Sequence, residues 1–402
     1  MQGLILQAFI WVLLIVTSNL VSIGDGKIMF NVKDFGAVGD GKTDNYNAFL
    51  NAWRGLCEAQ EQKGNIPTLI VPPGIFLLKP LIFKGPCKSK AIHMKVIGKI
   101  VAPSGGEWPS CNAQFWLLFD GVNGLTLDGS GTFDGHGSTW WTNQDIMSRC
   151  KKPRALQFRN CNNLGISGLK YINSPKAHIG LNRCNYVSIY NINIFAPENS
   201  PNTDGIDLSL SHNVHISDSI IGTGDDCIAI NGGCSFINVT KVTCGPGHGI
   251  SVGSLGDRGV KDIVDQVHVR NCTFLNTQNG VRIKTWPGGS GHANQISFRD
   301  IILHNSKNPI IIDQHYCNGH KCAEKGVAVK VNGIIYSGVK GTSASKQAIT
   351  LDCDKIGCGN IIMDHINISS SNPGKQIHAF CNHVNGKSTS TIPVVPCLSK
   401  SM

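Results

Sequence analysis

Short alternating apolar triplets punctuate the chain from about residue 90 onward, each introduced by Asn or Gly and followed by a polar turn. They read Leu125-Thr126-Leu127, Leu164-Gly165-Ile166, Val187-Ser188-Ile189, Val214-His215-Ile216, Ile237-Asn238-Val239, Val267-His268-Val269, Ile296-Ser297-Phe298 and Ile361-Ile362-Met363. Alternation with a period of two marks a strand with one buried face. The triplets from Leu164 to Ile296 begin 23, 27, 23, 30 and 29 residues apart. Strands this short at this period predict a stack of similar coils. A sandwich or an up-and-down barrel would carry hairpin signals every ~8–12 residues instead. No helical pattern separates successive triplets, which disfavours leucine-rich and helical repeats.

The predicted architecture is therefore all-β, a right-handed parallel β-helix in which inward residues of one coil stack on those of the next, about 4.8 Å away. Thr43–Gln60 is the exception. Its apolar residues Ala48, Phe49, Ala52, Trp53, Leu56 and Ala59 follow helical spacing, and the segment is expected to cap the open N-terminal end of the core. No Pro/Ser-rich linker interrupts the pattern, so one domain is expected over 25–402.

Composition supports the turn-rich reading. The chain carries 46 Gly and 35 Asn, and only 15% of its residues are charged. Gly and Asn tolerate the positive φ of tight bends. A coiled coil, a helix bundle or a disordered chain would need far more charge or more Ala, Glu, Lys and Leu. The net charge is +10, from 36 basic and 26 acidic residues, and no basic run exceeds Lys151-Lys152. Such a diffuse positive field favours an anionic partner. With 7% aromatics and no Lys/Arg cluster there is neither a stacking platform nor a phosphate stripe, so nucleic acid is not expected as a partner.

Residues 1–24 contain no Lys, Arg or Glu, and Leu4–Val16 is almost wholly apolar. This length suits a secretory signal peptide and is short for a membrane span. No later stretch approaches the span length, so no membrane partner is expected. The 16 Cys agree with export. Cys317/Cys322 and Cys353/Cys358 are close pairs, and Cys381/Cys397 lies near the C-terminus. No pair recurs at zinc spacing. Asn238, Asn271 and Asn367 each head an Asn-x-Ser/Thr sequon. The expectation is a secreted, disulfide-bonded glycoprotein acting as a monomer.

In a coil stack, sequence period becomes spatial position. Asp204 precedes Asp225-Asp226 by 21 and 22 residues, and His248 follows Asp225 by 23. Arg282 and Lys284 fall over the same area if Gly253–Lys261 loops out. Three carboxylates, an imidazole and two cations then converge. Each motif alone is ordinary turn chemistry; their coincidence at coil spacing is not. Crowded carboxylates repel, so one keeps its proton. A protonated and an ionised carboxyl are what glycoside hydrolysis needs, one for the leaving oxygen and one for water. Arg282 and Lys284 suit an anionic group of the substrate. His248 suits tuning of the acid's proton or binding of a hydroxyl. Calcium is the alternative for clustered Asp, but the adjacent basic pair opposes it, and neither a metal nor another cofactor is expected.

Asn202-Thr203-Asp204, Gly224-Asp225-Asp226-Cys227, Gly247-His248-Gly249 and Arg282-Ile283-Lys284 resemble the four signature motifs of the polygalacturonases, glycoside hydrolase family 28. The longer strings SPNTDGI, IGTGDDCIAI, CGPGHGISVGSLG and NGVRIKTWPGGSG look like plant members, and the similarity runs from Phe30 to the C-terminal cysteines. The resemblance implies a single-stranded, pectin-lyase-like β-helix that hydrolyses α-1,4-linked galacturonan of demethylated pectin in the cell wall, with inversion. Asp225 would be the general acid, Asp204 and Asp226 would activate water, and His248 would support the acid. Asn202, Arg282, Lys284 and Tyr316 would bind substrate, and Cys227–Cys244 would staple the catalytic coils. The Phe83–Cys87 and Trp286-Pro287 neighbourhoods are similar to exo-acting plant members; endo action is the alternative. A calcium-dependent pectate lyase and a non-catalytic pectin-binding wall protein are the rivals. The intact carboxylate set opposes both.

Overall fold

A computed structural model describes residues 22–24, 27–62, 64–142, 150–319, 322 and 328–400. Most of the expected leader lies outside them, although Ser22–Gly24 pairs antiparallel with Lys27–Asn31. Apart from that pair, the named strands run parallel to their neighbours, in coils whose turns carry the chain from one sheet to the next. A strand joined through such a crossover to a parallel neighbour winds right-handed.

The eight triplets stack as their spacing predicts. Leu164 pairs with Val187, Val187 with Val214, Val214 with Ile237, Ile237 with Val267 and Val267 with Ile296. One coil escaped the pattern: Ile334-Ile335-Tyr336 sits between Ile296 and Ile361. Thirty-eight residues separate it from Ile296, and the longer connection between Asp313 and Val329 holds the Cys317–Cys322 disulfide.

Two columns of left-handed bends explain the Asn and Gly content. One runs Asn163, Tyr186, Asn213, Phe236, Gln266, Gln295, Gly333, Asn360, one residue per coil, all at positive φ. The second runs Gly168, Asn191, Asp218, Lys241, Asn271, Asp300, Gly338, His365 and Ser390. The presence of Tyr186, Phe236 and Lys241 means that stacking imposes the bend on residues that disfavour it.

One sheet of 11 strands, from Leu81–Lys84 to His378–Asn382, forms the face that matters for function. Its inward residues are apolar at every rung. Phe83, Phe119 and Phe158 stack with ring centroids 4.6 and 4.9 Å apart. The helix Tyr46–Glu58 closes the end of this column by placing Trp53 edge-on to Phe83 at 5.0 Å. Ala48, Phe49, Ala52, Trp53 and Leu56 are its buried residues, as its spacing predicts, while Ala59 lies just past its end.

Six disulfides form, including Cys227–Cys244, Cys317–Cys322, Cys353–Cys358 and Cys381–Cys397. Cys161, Cys184, Cys234 and Cys272 are buried thiols inside the coil stack. There they serve as small apolar fillers.

Candidate active site

The outward residues of the 11-stranded sheet form a second column, read rung by rung as Ile82, Leu118, Gln157, Gly180, Asp207, Ala229, Ser251, Arg282, Ile311. Its N-terminal rungs are apolar and bulky. In the middle, Gly180, Ala229 and Ser251 are small, and there the face sinks into a cleft of about 350 Å³. Arg154 and Lys176 stand at one flank of that cleft and Lys284 and Tyr316 at the other, with Asn202, Asp204, Asp207, Asp225 and Asp226 between them.

The first three predicted motifs sit just ahead of successive strands of this sheet, Arg282-Ile283-Lys284 lies within the strand Asn279–Thr285, and hydrogen bonds from backbone N–H groups tie the first three together. Gly224 N donates to Thr203 Oγ1 at 3.0 Å. Gly205 N donates to Asp226 O at 2.9 Å, and His248 N to Asp225 O at 2.8 Å. Two glycines are required by close approach. A Cβ on Gly224 would meet Ser200 O at 2.0 Å. One on Gly249, at φ +87°, would meet Asn279 O at 2.2 Å. Cys227–Cys244 joins the Asp225-Asp226 coil to the strand that precedes His248.

Asp226 is enclosed. Its Oδ1 accepts from Arg282 Nη2 at 2.6 Å and from Ser251 Oγ at 2.9 Å, and its Oδ2 accepts from Lys284 Nζ at 2.8 Å. Arg282 Nε donates to Ser251 Oγ at 2.8 Å, which completes the network. The resemblance expects Arg282 to grip a substrate carboxylate; in the free site its guanidinium pairs with Asp226, and its side chain is about as exposed as that of Lys284. Lys284 does line the cleft, with its ammonium 5.2 Å over the Tyr316 ring.

Asp225 has a different setting. Oδ1 bonds His248 Nδ1 at 2.9 Å and accepts from Asp226 N at 2.9 Å, while Oδ2 accepts from Asn202 Nδ2 at 3.4 Å. Burial would raise this carboxyl, but the hydrogen bond and charge of His248, then the charge of Lys284, take it below the ordinary value. Asp204 goes the other way. Burial, and then the charges of Asp207, Asp225 and Asp226, hold it well above the ordinary 3.8.

Three residues that sequence reasoning missed surround Asp204. Asp207 shares its cleft wall and accepts from Arg154 Nη2 at 3.0 Å through Oδ2. His178 Nδ1 donates to Asp204 O at 3.0 Å, and its Nε2 accepts from Ser174 N. Burial holds the ring neutral, at about 4, which fits that tautomer. The missed signal for Asp207 is strand alternation: Ile206 and Leu208 point inward, so Asp207 faces the cleft.

Asp225, Asp226 and His248 present ligand atoms within 4.8 Å of one another, a spacing a metal ion could use. Both Asp226 oxygens are already on cationic side chains, so the basic pair opposes a cation by direct contact.

Residues 62–391 match the family description Glycosyl hydrolases family 28. A probable polygalacturonase of Arabidopsis thaliana is 46% identical over 378 residues, covering 92% of this chain and 81% of that protein. A polygalacturonase of Persea americana is 44% identical over 362 residues, covering 88% and 76%. An exopolygalacturonase of Arabidopsis thaliana is 40% identical over 372 residues, covering 89% and 85%. Among solved structures, an endo-xylogalacturonan hydrolase from Aspergillus tubingensis shares the fold with a TM-score of 0.76 and 24% identity, covering 93% of this chain and 99% of that one. The chain belongs to glycosyl hydrolase family 28.

Proposed function

From that membership, we propose that the protein is a polygalacturonase that hydrolyses α-1,4-galacturonosidic bonds of demethylated pectin with inversion, releasing galacturonate from chain ends. The observation that carries the reading is the set of three carboxylates on one cleft, each held in a different electrostatic setting. His248 and Lys284 hold Asp225 ionised in the free enzyme; it takes up a proton through its hydrogen bond to His248 Nδ1 and gives it to the glycosidic oxygen as the C1–O bond breaks. Asp204 and Asp226 hold the water that attacks C1. Asn202, Arg282, Lys284 and Tyr316 meet the substrate, the two cations facing a galacturonate carboxylate. The charge of +10 draws a polyanion towards the cleft.

Release from chain ends is supported by the similarity to a relative named an exopolygalacturonase. Internal cleavage is the alternative reading. We further propose that residues 1–24 are removed on secretion, that the 25–402 domain acts in the cell wall as a monomer, and that sequons at Asn238, Asn271 and Asn367 carry glycans. All three asparagines are exposed. Among the described residues, no helix is long and apolar enough to cross a membrane.

Product analysis of digested polygalacturonate tests this. Saturated monogalacturonate is expected from the first time points. Early mixed oligomers with a fast viscosity drop would replace exo by endo action. An unsaturated uronate, formed by elimination, would overturn the hydrolase assignment.

A further inference from the structure

Asp207 presents a problem that the family reading leaves unsolved. Its Oδ2 is bonded to Arg154 Nη2 at 3.0 Å, but its Oδ1 is buried with no hydrogen-bond donor beside it when every nearby carboxyl is ionised. A buried acceptor in that position is normally satisfied. The Asp204 carboxyl, three residues earlier, lines the same cleft beside Asp207, and a hydrogen bond from it would lower Asp207. A carboxyl can donate there only if it keeps its proton.

We propose that Asp204 and Asp207 share one proton, Asp204 O–H donating to Asp207 Oδ1, with Arg154 fixing Asp207 as the ionised member. Asp207 and Arg154 are then positioning residues that act through Asp204. The consequence for catalysis rests on the hydrolase reading; the shared proton itself does not. It separates two carboxylates to which the resemblance gives one role. Asp204 holds the attacking water as a neutral group, and Asp226 takes its proton. In that step the water O–H bond breaks towards Asp226, the C1–O bond to water forms, and the glycosidic C1–O bond breaks with the proton from Asp225.

The surrounding charges agree. Burial raises Asp207 and the charge of Asp226 opposes its own, while Arg154, the hydrogen bond from Asp204 and Lys176 stabilise its anionic form. Asp225 and Asp226 face Asp204 from the next coil and oppose a charge on it. Lys284 is spent on Asp226, His248 on Asp225, and the buried His178 ring donates to the Asp204 backbone.

The test is a pH titration of the Asp Cγ signals by ¹³C NMR on aspartate-labelled enzyme, free of substrate. In wild type, two coupled carboxyls should release a shared proton above the range of ordinary aspartates, and Asp204→Asn should abolish that pair. Asp207→Asn should bring Asp204 down by about one pH unit or more, because it loses an anionic neighbour. Arg154→Gln should move the shared proton up, and Arg154→Lys should restore the wild-type position. These opposite shifts are not what a merely structural role produces. Titration of Asp204 and Asp207 as two ordinary carboxyls, or shifts of one sign in both variants, would overturn the proposal. Failure of wild type to cleave polygalacturonate would remove the hydrolase reading while leaving this result intact.

Discussion

Asp204 and Asp226 stand one coil apart in the same cleft, and the fold treats them in opposite ways. Asp226 is fully enclosed, with a guanidinium on one oxygen, an ammonium on the other and a serine hydroxyl between. Asp204 faces two nearby anions from the next coil and a third carboxyl beside it, and its neighbouring cation is taken by Asp207. An ionised group and a proton-holding group can thus coexist within one cleft because the cations are unevenly distributed. Environment, not residue type, divides the roles.

The comparison breaks most severely on the Asp226 side. Arg282→Met leaves a buried carboxylate half-compensated, and the expected loss is about 3–5 kcal/mol of folding stability, read by denaturant unfolding. An equal loss from Arg154→Gln would erase the contrast, since Asp207 can recover by taking up a proton. Next is the staple under the Asp226 coil. Replacing both Cys227 and Cys244 by Ser opens a link spanning 17 residues and should cost about 3 kcal/mol. Thermal unfolding measures it, with the remaining five disulfides as internal control.

Asp204 gives a smaller effect with a definite sign. Its carboxyl holds a proton more tightly folded than unfolded, so its contribution to stability is present near and below the ordinary 3.8 and is lost as pH rises through the raised folded value. Asp204→Asn should flatten that decline. Asp225 has the reverse sign: its contribution is present above the ordinary value and fades as pH falls through the lowered one. Unfolding midpoints of the two Asn variants across pH should therefore diverge in opposite directions. The smallest effect expected is ionic. Added salt should raise KM for long polygalacturonate more than for short oligomers, because screening weakens the long-range field.

Much of this was legible in the sequence. The coil period placed eight triplets in register because inward residues must stack, and stacking preserves spacing. The Ile334 coil was lost because the 38 residues between Ile296 and Ile334 break the period. The motif residues Asp204, Asp225, Asp226, His248 and Lys284 converge as their spacing requires. What spacing does not encode is which cation serves which carboxylate. Arg282 and Lys284 alternate with Ile283 on one strand, so both point outward, yet that both reach Asp226 depends on three-dimensional distances. Arg154 lies 53 residues from Asp207 and two coils away, with no motif to link them. The thiols Cys161 and Cys184 illustrate the same limit, since an even cysteine count says nothing of side-chain direction.

The most direct test of the account is proton NMR of the anomeric signals during digestion of polygalacturonate at mildly acidic pH, with wild type and Asp225→Asn side by side. The account predicts that the new reducing end appears first as the β anomer, and that the variant forms it about 10²–10⁴-fold more slowly while remaining folded. Initial α product, or equal rates from the two proteins, would contradict it.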